Sequence, residues 1–444
     1  MNFLARQLAR FRRFDKNGSV SGTILVNFGA AGLSALSSIV FARILRIADF
    51  GLYVYAVSAI GLVGSLAALG LPTLITRETA AFAATADWKK FNGMLRFGML
   101  APLVSSLLFG VVLLLCGPFL GKISETPGFF VALELSAGIM VVQCVDLTIA
   151  GLLQGMHAVA RSLIPQGIIV PLCLIVFAIA GRMLHMRVDA IRLLAVQLAA
   201  GVVVEIYQIA SVKRRRPGES VGFGHEIHAS AWLRNALPFL GNGIFFVINT
   251  QADTLLLGFF LGSTSAGIYQ VGTRAAQLVV LSLGAIATAM QPRLAALYAS
   301  GDHGAIARIV THTTRLAFLL AIVGSVILFI TGKILINDLF GSAFLPAVSV
   351  LFILILARLV NASVGSLGPY MAMTGKEHLM LKGSAAEAVL NVALNILLIP
   401  RWGLDGSAFA TGISMVVVNI FQAMYVYRRW GVDTSFLGIR RSCA

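Results

Sequence analysis

Long apolar segments recur along the chain, and each is close to the length that a helix needs to cross a lipid bilayer. A transmembrane helix takes roughly 20 apolar residues. The longest polar interruption, Lys213 to Arg234, is too short to form a soluble domain. The pattern predicts an all-α polytopic membrane protein with about twelve transmembrane helices. The predicted spans are 20–42, 51–75, 94–118, 128–152, 163–181, 190–212, 236–260, 267–291, 309–332, 345–372, 381–400 and 405–427.

The first two spans are joined by the segment Phe41–Tyr53, with the sequence FARILRIADFGLY. A short polar stretch with a glycine is typical of a tight link, so Gly51 is predicted to permit a tight return into the membrane. A similar pattern, Ser265–Tyr269, follows 216 positions after its counterpart, and at the same offset Thr76-Arg77-Glu78 falls on Pro292-Arg293-Leu294. This internal echo predicts two copies of one helical unit.

Two copies of a six-span unit enter the membrane in the same orientation, because an even number of crossings returns the chain to its starting side. Such parallel repeats are related by a pseudo-two-fold axis along the membrane normal, with the substrate site at their interface near the midplane. The predicted organisation is a basic interfacial segment over 1–19, an N-terminal lobe over 20–212, a basic linker over 213–234, a C-terminal lobe over 235–430 and a tail over 431–444.

Composition and charge fit a membrane protein. The chain is 58% hydrophobic and 12% charged, with a mean hydropathy of +0.90. If the N-terminus is cytoplasmic, the inside segments hold 24 Lys and Arg residues and the outside segments hold 9. The positive-inside rule therefore predicts that both termini lie in the cytoplasm. It also accounts for the net charge of +16, so binding to nucleic acid is not needed to explain that charge. The cluster Lys213–Arg216 is then a topology anchor and linker, with binding of anionic lipid as the alternative.

Residue patterns for catalysis or metal binding are missing from the sequence. It contains no G-x-x-x-x-G-K-[ST] phosphate-binding loop, no H-E-x-x-H pattern and no nucleophile arrangement. The four cysteines have neither the spacing of a disulfide framework nor that of a metal site. We therefore expect a protein that is not an enzyme and that needs no cofactor or metal.

Several spans carry polar side chains on one helical face. An ionisable group at the bilayer centre costs about 2.5–3.5 kcal/mol to insert, so such groups face protein or water. In span eleven, Glu387, Asn391 and Asn395 follow one another at i, i+4 and i+8, and in span seven Asn249 and Asp253 share a face. Two interpretations fit: a partly hydrated cavity lined by these faces, or hydrogen bonding between packed helices worth about 0.6 kcal/mol per bond.

Candidate site residues follow from this chemistry. The planar guanidinium of Arg358 suits a phosphate group, and the alternative is that it pairs with a buried acid. Asp253 and Arg274 form another alternative ion pair. The predicted substrate-binding residues are Arg358, Asn27, Asn249, Asn361, Asn391 and Asn395. The predicted ion-coupling residues are Asp146, Glu205, Asp253 and Glu387.

Five segments resemble the polysaccharide transporter branch of the multidrug/oligosaccharidyl-lipid/polysaccharide (MOP) superfamily: FARILRIADFGLY, TLITRETA, GLLQG, SAGIYQVGTRAAQL and NVALNILLIPRWGLDGSAFAT. The resemblance covers nearly the whole chain through many weak matches. It implies two six-helix lobes in a V that open alternately to each side of the bacterial inner membrane. It also implies transfer of an undecaprenyl-diphosphate-linked oligosaccharide to the periplasmic leaflet, driven by H⁺ or Na⁺. The partners it implies are membrane lipids, a polysaccharide polymerase and chain-length proteins.

Two departures from the superfamily weigh against lipid II as the substrate. Lipid II flippases of this superfamily typically have fourteen spans and an Arg-Asp pair in span one. This chain has about twelve spans and offers only Asn27 in span one. The alternative functions are a cation-coupled multidrug antiporter of the same superfamily and a membrane glycan polymerase or ligase.

Overall fold

The computed structural model describes residues 19–121, 128–156, 158–280, 290, 294, 297–298, 302–365, 367–374 and 376–438. The predicted interfacial segment before residue 19, the echo residues Pro292 and Arg293, and residues 439–444 of the predicted tail lie outside these ranges. The helices are α1 (Ser19–Ile44), α2 (Ile47–Ala67), α3 (Leu71–Ala84), α4 (Trp88–Gly121), α5 (Phe129–Gly155), α6 (Val159–Ile164), α7 (Val170–Met183), α8 (Ala190–Arg215), α9 (Ala229–Leu261), α10 (Ser263–Gln277), α11 (His303–Phe340), α12 (Ala347–Val364), α13 (Leu367–Met373) and α14 (Glu377–Trp430).

Every predicted span overlaps one or more of these helices. Over the described residues there is no strand, and nine helices are long and apolar enough to cross a membrane. One of the nine, α14, contains two predicted spans, because Gly403 (φ 57°, ψ −130°) interrupts its helical geometry and divides it into two arms. The predicted all-α polytopic membrane fold is therefore confirmed.

The chain divides into two compact units. Of the described residues, the first unit takes 19–46 and Ala59–Ile244, and the second takes Ile47–Ser58 and the chain from Phe245 onward. The start of α2 therefore belongs to the second unit and its remainder to the first. The functional lobes expected at 20–212 and 235–430 are a different division and stay a prediction.

The core of the first unit lies where α3 packs against α4 and α5. The predicted span 51–75 is two helices rather than one, because the chain leaves helical geometry before Gly70 (φ 70°) and resumes at Leu71. Leu71, Leu74 and Ile75, spaced i, i+3 and i+4, form the fully buried face of α3. They belong to one cluster with residues of α4 and α5, including Phe91, Met94 and Leu152. This packing fixes the opposite face of α3, which carries polar side chains.

The link between the first two spans differs from the expectation. The chain turns at Leu45 and Arg46, and Gly51 lies inside α2, so the predicted tight return at Gly51 is wrong. A Cβ added to Gly51 would lie 2.2 Å from the carbonyl oxygen of Ser263, and one added to Gly267 would lie 2.8 Å from Cα of Gly51. The two glycines of the sequence echo therefore pack against each other within the second unit, where α2 and α10 approach at backbone distance.

Gly51→Ala is expected to destabilise the protein by about 1–3 kcal/mol, because the new methyl group overlaps the backbone of α10. Thermal unfolding of the purified protein in detergent measures the effect. Gly32→Ala is the matched control, since a Cβ at Gly32 in α1 meets nothing within 4 Å. That control should unfold at or slightly above the wild-type temperature, because alanine has a higher helix propensity than glycine. Equal midpoints for Gly51→Ala and wild type would contradict this packing.

The segment after α14 closes one end of the second unit. Helix α12 ends where Gly365 adopts a φ of 92°, and the carbonyl oxygen of Thr434 would lie 2.1 Å from a Cβ at that position. The hydroxyl of Thr314 donates to the same carbonyl at 3.0 Å, and the N–H of Phe436 donates to the carbonyl of Ser363 at 3.0 Å. The interruption between α12 and α13 is therefore held by the chain that follows α14.

Candidate functional site

A cavity of about 530 Å³ with several polar side chains in its wall lies within the first unit. Helices α1, α3 and α5 bound it, together with α6 and the π-helical turn Pro165–Ile169 that follows α6. Asn27, a predicted substrate-binding residue, and Asp146, a predicted ion-coupling residue, both line it. The other polar lining residues are Thr73, Thr76, Arg77, Gln154, Ser162 and Gln166. Residues assigned to two different roles therefore share one cavity, which we call the unit-1 cavity.

Helical spacing explains why these side chains meet. Thr73, Thr76 and Arg77 are spaced i, i+3 and i+4 on α3, as are the core residues of that helix, but they lie on another face. Gln166 lies in the π-helical turn, a kind of insertion that is frequent at functional sites. The amphipathic division of α3 thus builds the core with one face and the cavity wall with the other.

Arg77 is the cation of the unit-1 cavity, and the sequence prediction did not include it. Its Nη2 and Nε donate to Oε1 of Glu78 at 2.7 and 3.2 Å, and its guanidinium lies 5.5 Å from the ring centroid of Phe239. The side chain is 55% exposed. Its remaining N–H groups are therefore accessible to a ligand. The sequence signal was present, because Thr76-Arg77-Glu78 belongs both to the internal echo and to the resemblance segment TLITRETA.

Asp146, which lines the unit-1 cavity, interacts electrostatically with a second carboxyl group, that of Glu205. Asp146 on α5 and Glu205 on α8 are both buried, and Glu205 lies within electrostatic reach of Asp146. The amide of Gln208 donates to Oδ1 of Asp146. In the part of the chain that the structure describes, neither carboxylate oxygen of Glu205 has a hydrogen-bond partner. Two adjacent acids with free acceptor capacity can hold a proton or a monovalent cation between them.

The second unit contains a polar cluster around Asp253 on α9, which we call the Asp253 cluster. Oδ1 of Asp253 accepts from Nδ2 of Asn395 at 2.8 Å, and Oδ2 accepts from the hydroxyls of Tyr269 and Thr411 at 2.9 and 2.6 Å. The hydroxyl of Ser407 donates to Oδ1 of Asn395 at 2.7 Å. These side chains come from α9, α10 and both arms of α14, so the cluster joins four helical segments by hydrogen bonds.

The Asp253 cluster unites two faces that the sequence pattern indicated separately. Nδ2 of Asn395 lies 3.2 Å from Oδ1 of Asn391, so the predicted stripe on span eleven meets Asp253 directly. Tyr269 and Thr411 were not among the predicted site residues. The hydrogen-bond partners of Asp253 are neutral, and no ion pair between Asp253 and Arg274 occurs among the described residues, so that alternative pairing is wrong.

The other predicted residues of the second unit take no part in the hydrogen bonds of the Asp253 cluster. Nδ2 of Asn249 donates to the carbonyl of Ser384 at 3.1 Å, which ties α9 to the first arm of α14. Oδ1 of Asn361 accepts from Nδ2 of Asn419 at 2.9 Å. Glu387 is half-buried, one helical turn before Asn391.

Arg358 on α12 is half-buried in the membrane-spanning part of the second unit. Its Nε is buried without a hydrogen-bond partner, and none of the ion pairs among the described residues includes it. The alternative in which Arg358 neutralises a buried acid therefore does not occur in this part of the chain. A guanidinium that forms no ion pair among the described residues is able to bind an anion.

Comparison with known proteins gives consistent matches. The family described as "Polysaccharide biosynthesis protein" matches residues 18–298. The Probable low-salt glycan biosynthesis flippase Agl15 of Haloferax volcanii is 24% identical over 174 residues, which are 39% of this chain and 37% of that protein. An inward-facing multidrug resistance MATE family transporter of the MOP superfamily has a TM-score of 0.72 at 14% identity, covering 90% of this chain and 94% of its own. The lipid II flippase MurJ has a TM-score of 0.68 at 13% identity, and the match covers 91% of this chain and 87% of the MurJ chain.

These matches differ in what they establish. The aligned segment spans just over a third of the archaeal relative, so the activity of that whole protein does not transfer directly. The structural likeness, at 13–14% identity, extends over about nine-tenths of the chain and establishes the fold. The family match covers more than half of the chain and confirms the resemblance found in the sequence. The chain belongs to the polysaccharide biosynthesis protein family and has the fold of MOP-superfamily transporters.

Proposed function

We propose that this protein is a flippase that moves an undecaprenyl-diphosphate-linked oligosaccharide from the cytoplasmic to the periplasmic leaflet of a bacterial inner membrane. Both termini then lie in the cytoplasm, as the charge distribution predicts. Family membership and the flippase names of Agl15 and MurJ support this class of activity. The observation that carries the proposal is the unit-1 cavity, where Arg77 lies beside amide and hydroxyl groups within a membrane-embedded unit.

The chemistry of the unit-1 cavity suits a phosphorylated glycan. A guanidinium binds phosphate oxygens through paired N–H donors, and Arg77 is accessible for this. Amides such as those of Asn27, Gln154 and Gln166 donate to and accept from sugar hydroxyls. Arg358 is a second proposed phosphate ligand, because it is unpaired among the described residues. The asparagines of the second unit, with Asn391 and Asn395 inside the Asp253 cluster, remain proposed substrate contacts.

Transport by alternating access needs a coupling step, and we assign it to the carboxyl groups. Asp146 and Glu205 form an adjacent pair of which one member has no hydrogen-bond donor among the described residues. Uptake of H⁺ or Na⁺ at this pair would neutralise repulsion between the carboxylates and favour one conformation over the other. Asp253 and Glu387 are the corresponding proposed groups of the second unit. The two lobes would then rock around a site near the membrane midplane, as repeats of this kind do.

Glu205→Gln is expected to uncouple transport from the ion gradient, because the amide keeps the shape of the side chain and cannot ionise. In proteoliposomes with an imposed pH or Na⁺ gradient, the gradient should accelerate the wild-type protein and should leave this variant at its rate without a gradient. Glu134→Gln is the matched control, since Glu134 is an exposed acid on the neighbouring helix α5. A variant that still responds fully to the gradient would remove Glu205 from the coupling step.

One experiment in the source cell distinguishes a flippase from the two alternative functions, a multidrug antiporter and a glycan polymerase or ligase. Deleting the gene should cause the lipid-linked oligosaccharide to accumulate in the cytoplasmic leaflet and should abolish surface polysaccharide. A polymerase defect would instead leave the oligosaccharide in the periplasmic leaflet. Loss of an antiporter would raise drug sensitivity and leave polysaccharide intact. Either of these last two results would overturn the proposed function.

A further inference from the structure

A second cavity, an open groove of about 680 Å³, lies in the second unit between α13 and the two arms of α14. We call it the α14 groove. Aliphatic, methionine and aromatic side chains form most of its wall. The apolar lining residues include Met371, Ala386, Leu390, Val417, Phe421 and Met424. The polar lining residues are Lys382, Gln422 and Arg428.

The two cations of the α14 groove lie at the same end. The arms of α14 run antiparallel, because Gln422 donates to the carbonyl of Leu379 at 3.3 Å and Ser407 donates to Asn395 at 2.7 Å. Lys382 lies near the start of the first arm, and Arg428 lies near the end of the second. Their charges therefore lie at one mouth of the groove, and among the described residues no carboxylate lines it.

The length of the α14 groove matches one leaflet. Along the first arm, Lys382 and Leu390 are about 12 Å apart at 1.5 Å per residue, and along the second arm Arg428 and Val417 are about 16 Å apart. The hydrocarbon core of a bilayer is about 30 Å thick, so each leaflet contributes about 15 Å. A groove of this length, with its cations at the level of the headgroups, would reach the middle of the membrane.

We propose that the α14 groove binds the polyprenyl chain of the lipid-linked substrate during loading, with the carrier phosphate held between Lys382 and Arg428 before it is passed to the arginines proposed for the transport step. This inference rests on the proposed function, because a glycan that crosses the membrane through a polar cavity must leave its lipid tail in the hydrocarbon. Lys382 and Arg428 form no ion pair among the described residues and complement a phosphate. Met371 and Met424 supply an adaptable wall for a branched, irregular chain. The predicted topology places this mouth at the cytoplasmic face, where the substrate is loaded.

Binding of undecaprenyl phosphate to the purified full-length protein tests the proposal, with phosphatidylglycerol as the competing bilayer lipid. Native mass spectrometry in detergent counts each bound lipid. We expect undecaprenyl phosphate to bind at least tenfold more tightly than phosphatidylglycerol. Ala386→Trp fills the groove from an exposed position and should abolish this preference. Lys382→Ala combined with Arg428→Ala should weaken binding at least tenfold, whereas Arg429→Ala, at an exposed neighbour that does not line the groove, should leave it unchanged.

Each outcome decides the proposal. Equal binding of the two lipids would mean that the groove holds ordinary bilayer lipid, and this would overturn the inference. Unaltered selective binding in Ala386→Trp would overturn it as well. A flipping assay with the wild-type protein distinguishes failure of the groove from failure of the function. Active flipping without selective binding in the groove would reject only this inference, and selective binding without flipping would reject the proposed function.

Discussion

Arg77→Gln is expected to lower export of the lipid-linked oligosaccharide about 10- to 100-fold, because the substitution removes charged hydrogen bonds to phosphate worth about 1.5–3 kcal/mol. Arg77 lies on the polar face of α3 in the unit-1 cavity, and 55% of its side chain is exposed. Complementation of a deletion strain, scored by surface polysaccharide, measures the effect.

Two further variants define what Arg77 contributes. Arg77→Lys keeps the charge but loses the planar fork, so an intermediate export level is expected. Arg182→Gln is the matched control, because Arg182 is an exposed arginine in the last turn of α7, away from the cavity lining. Arg358→Gln should reduce export as well, with membrane insertion intact. Full export by Arg77→Gln would remove the phosphate-binding role from the unit-1 cavity.

Asp253→Ala is expected to cause the largest loss of stability among substitutions in the second unit. The donors of Asn395, Tyr269 and Thr411 would lose the carboxylate as an acceptor. Asn395 and Thr411 keep the carbonyls of Asn391 and Ser407 as acceptors, and Tyr269 keeps the hydroxyl of Thr411. The loss is therefore that of hydrogen bonds to a charged group, each worth about 1.5–3 kcal/mol. Thermal unfolding of the purified protein in detergent measures the loss.

Asp253→Asn separates hydrogen bonding from charge, because the amide keeps one oxygen that can accept. Its unfolding midpoint should fall between those of wild type and Asp253→Ala. If this variant also fails to transport while remaining folded, the ionised form of Asp253 is needed for coupling. Glu219→Ala, which removes an exposed acid in the link before α9, is the stability control. A wild-type midpoint for Asp253→Ala would show that the cluster contributes nothing to stability.

The fold could be predicted from the sequence because each span is a long apolar segment whose length matches the bilayer. Its local interruptions were harder to place. Gly51 follows the polar residues of a link, which suggested a turn, yet its small size serves the approach of Ser263 and Gly267. That approach depends on which helices become neighbours, and periodicity along one helix does not encode neighbours.

The sequence likewise predicted some residues of the candidate site and missed others. Helical spacing correctly placed Asn391 and Asn395 on one face, and the structure brings that face to Asp253. Tyr269 and Thr411 escaped notice because a hydroxyl in a span has no pattern that separates a cluster member from an ordinary core residue. Arg77 was noted only as part of the internal echo, and the break before Leu71, after which α3 lines the unit-1 cavity, was not predicted.

The central claim is that this chain itself moves a lipid-linked glycan between leaflets. The purified full-length protein in proteoliposomes, supplied with an undecaprenyl-diphosphate-linked oligosaccharide in the inner leaflet, tests the claim with an external glycosidase that cleaves only glycan reaching the outer leaflet. We expect cleavage to rise with time in the presence of the wild-type protein and to fall toward the protein-free level with Arg77→Gln. Cleavage by the wild type that never exceeds the level of protein-free liposomes would contradict the account.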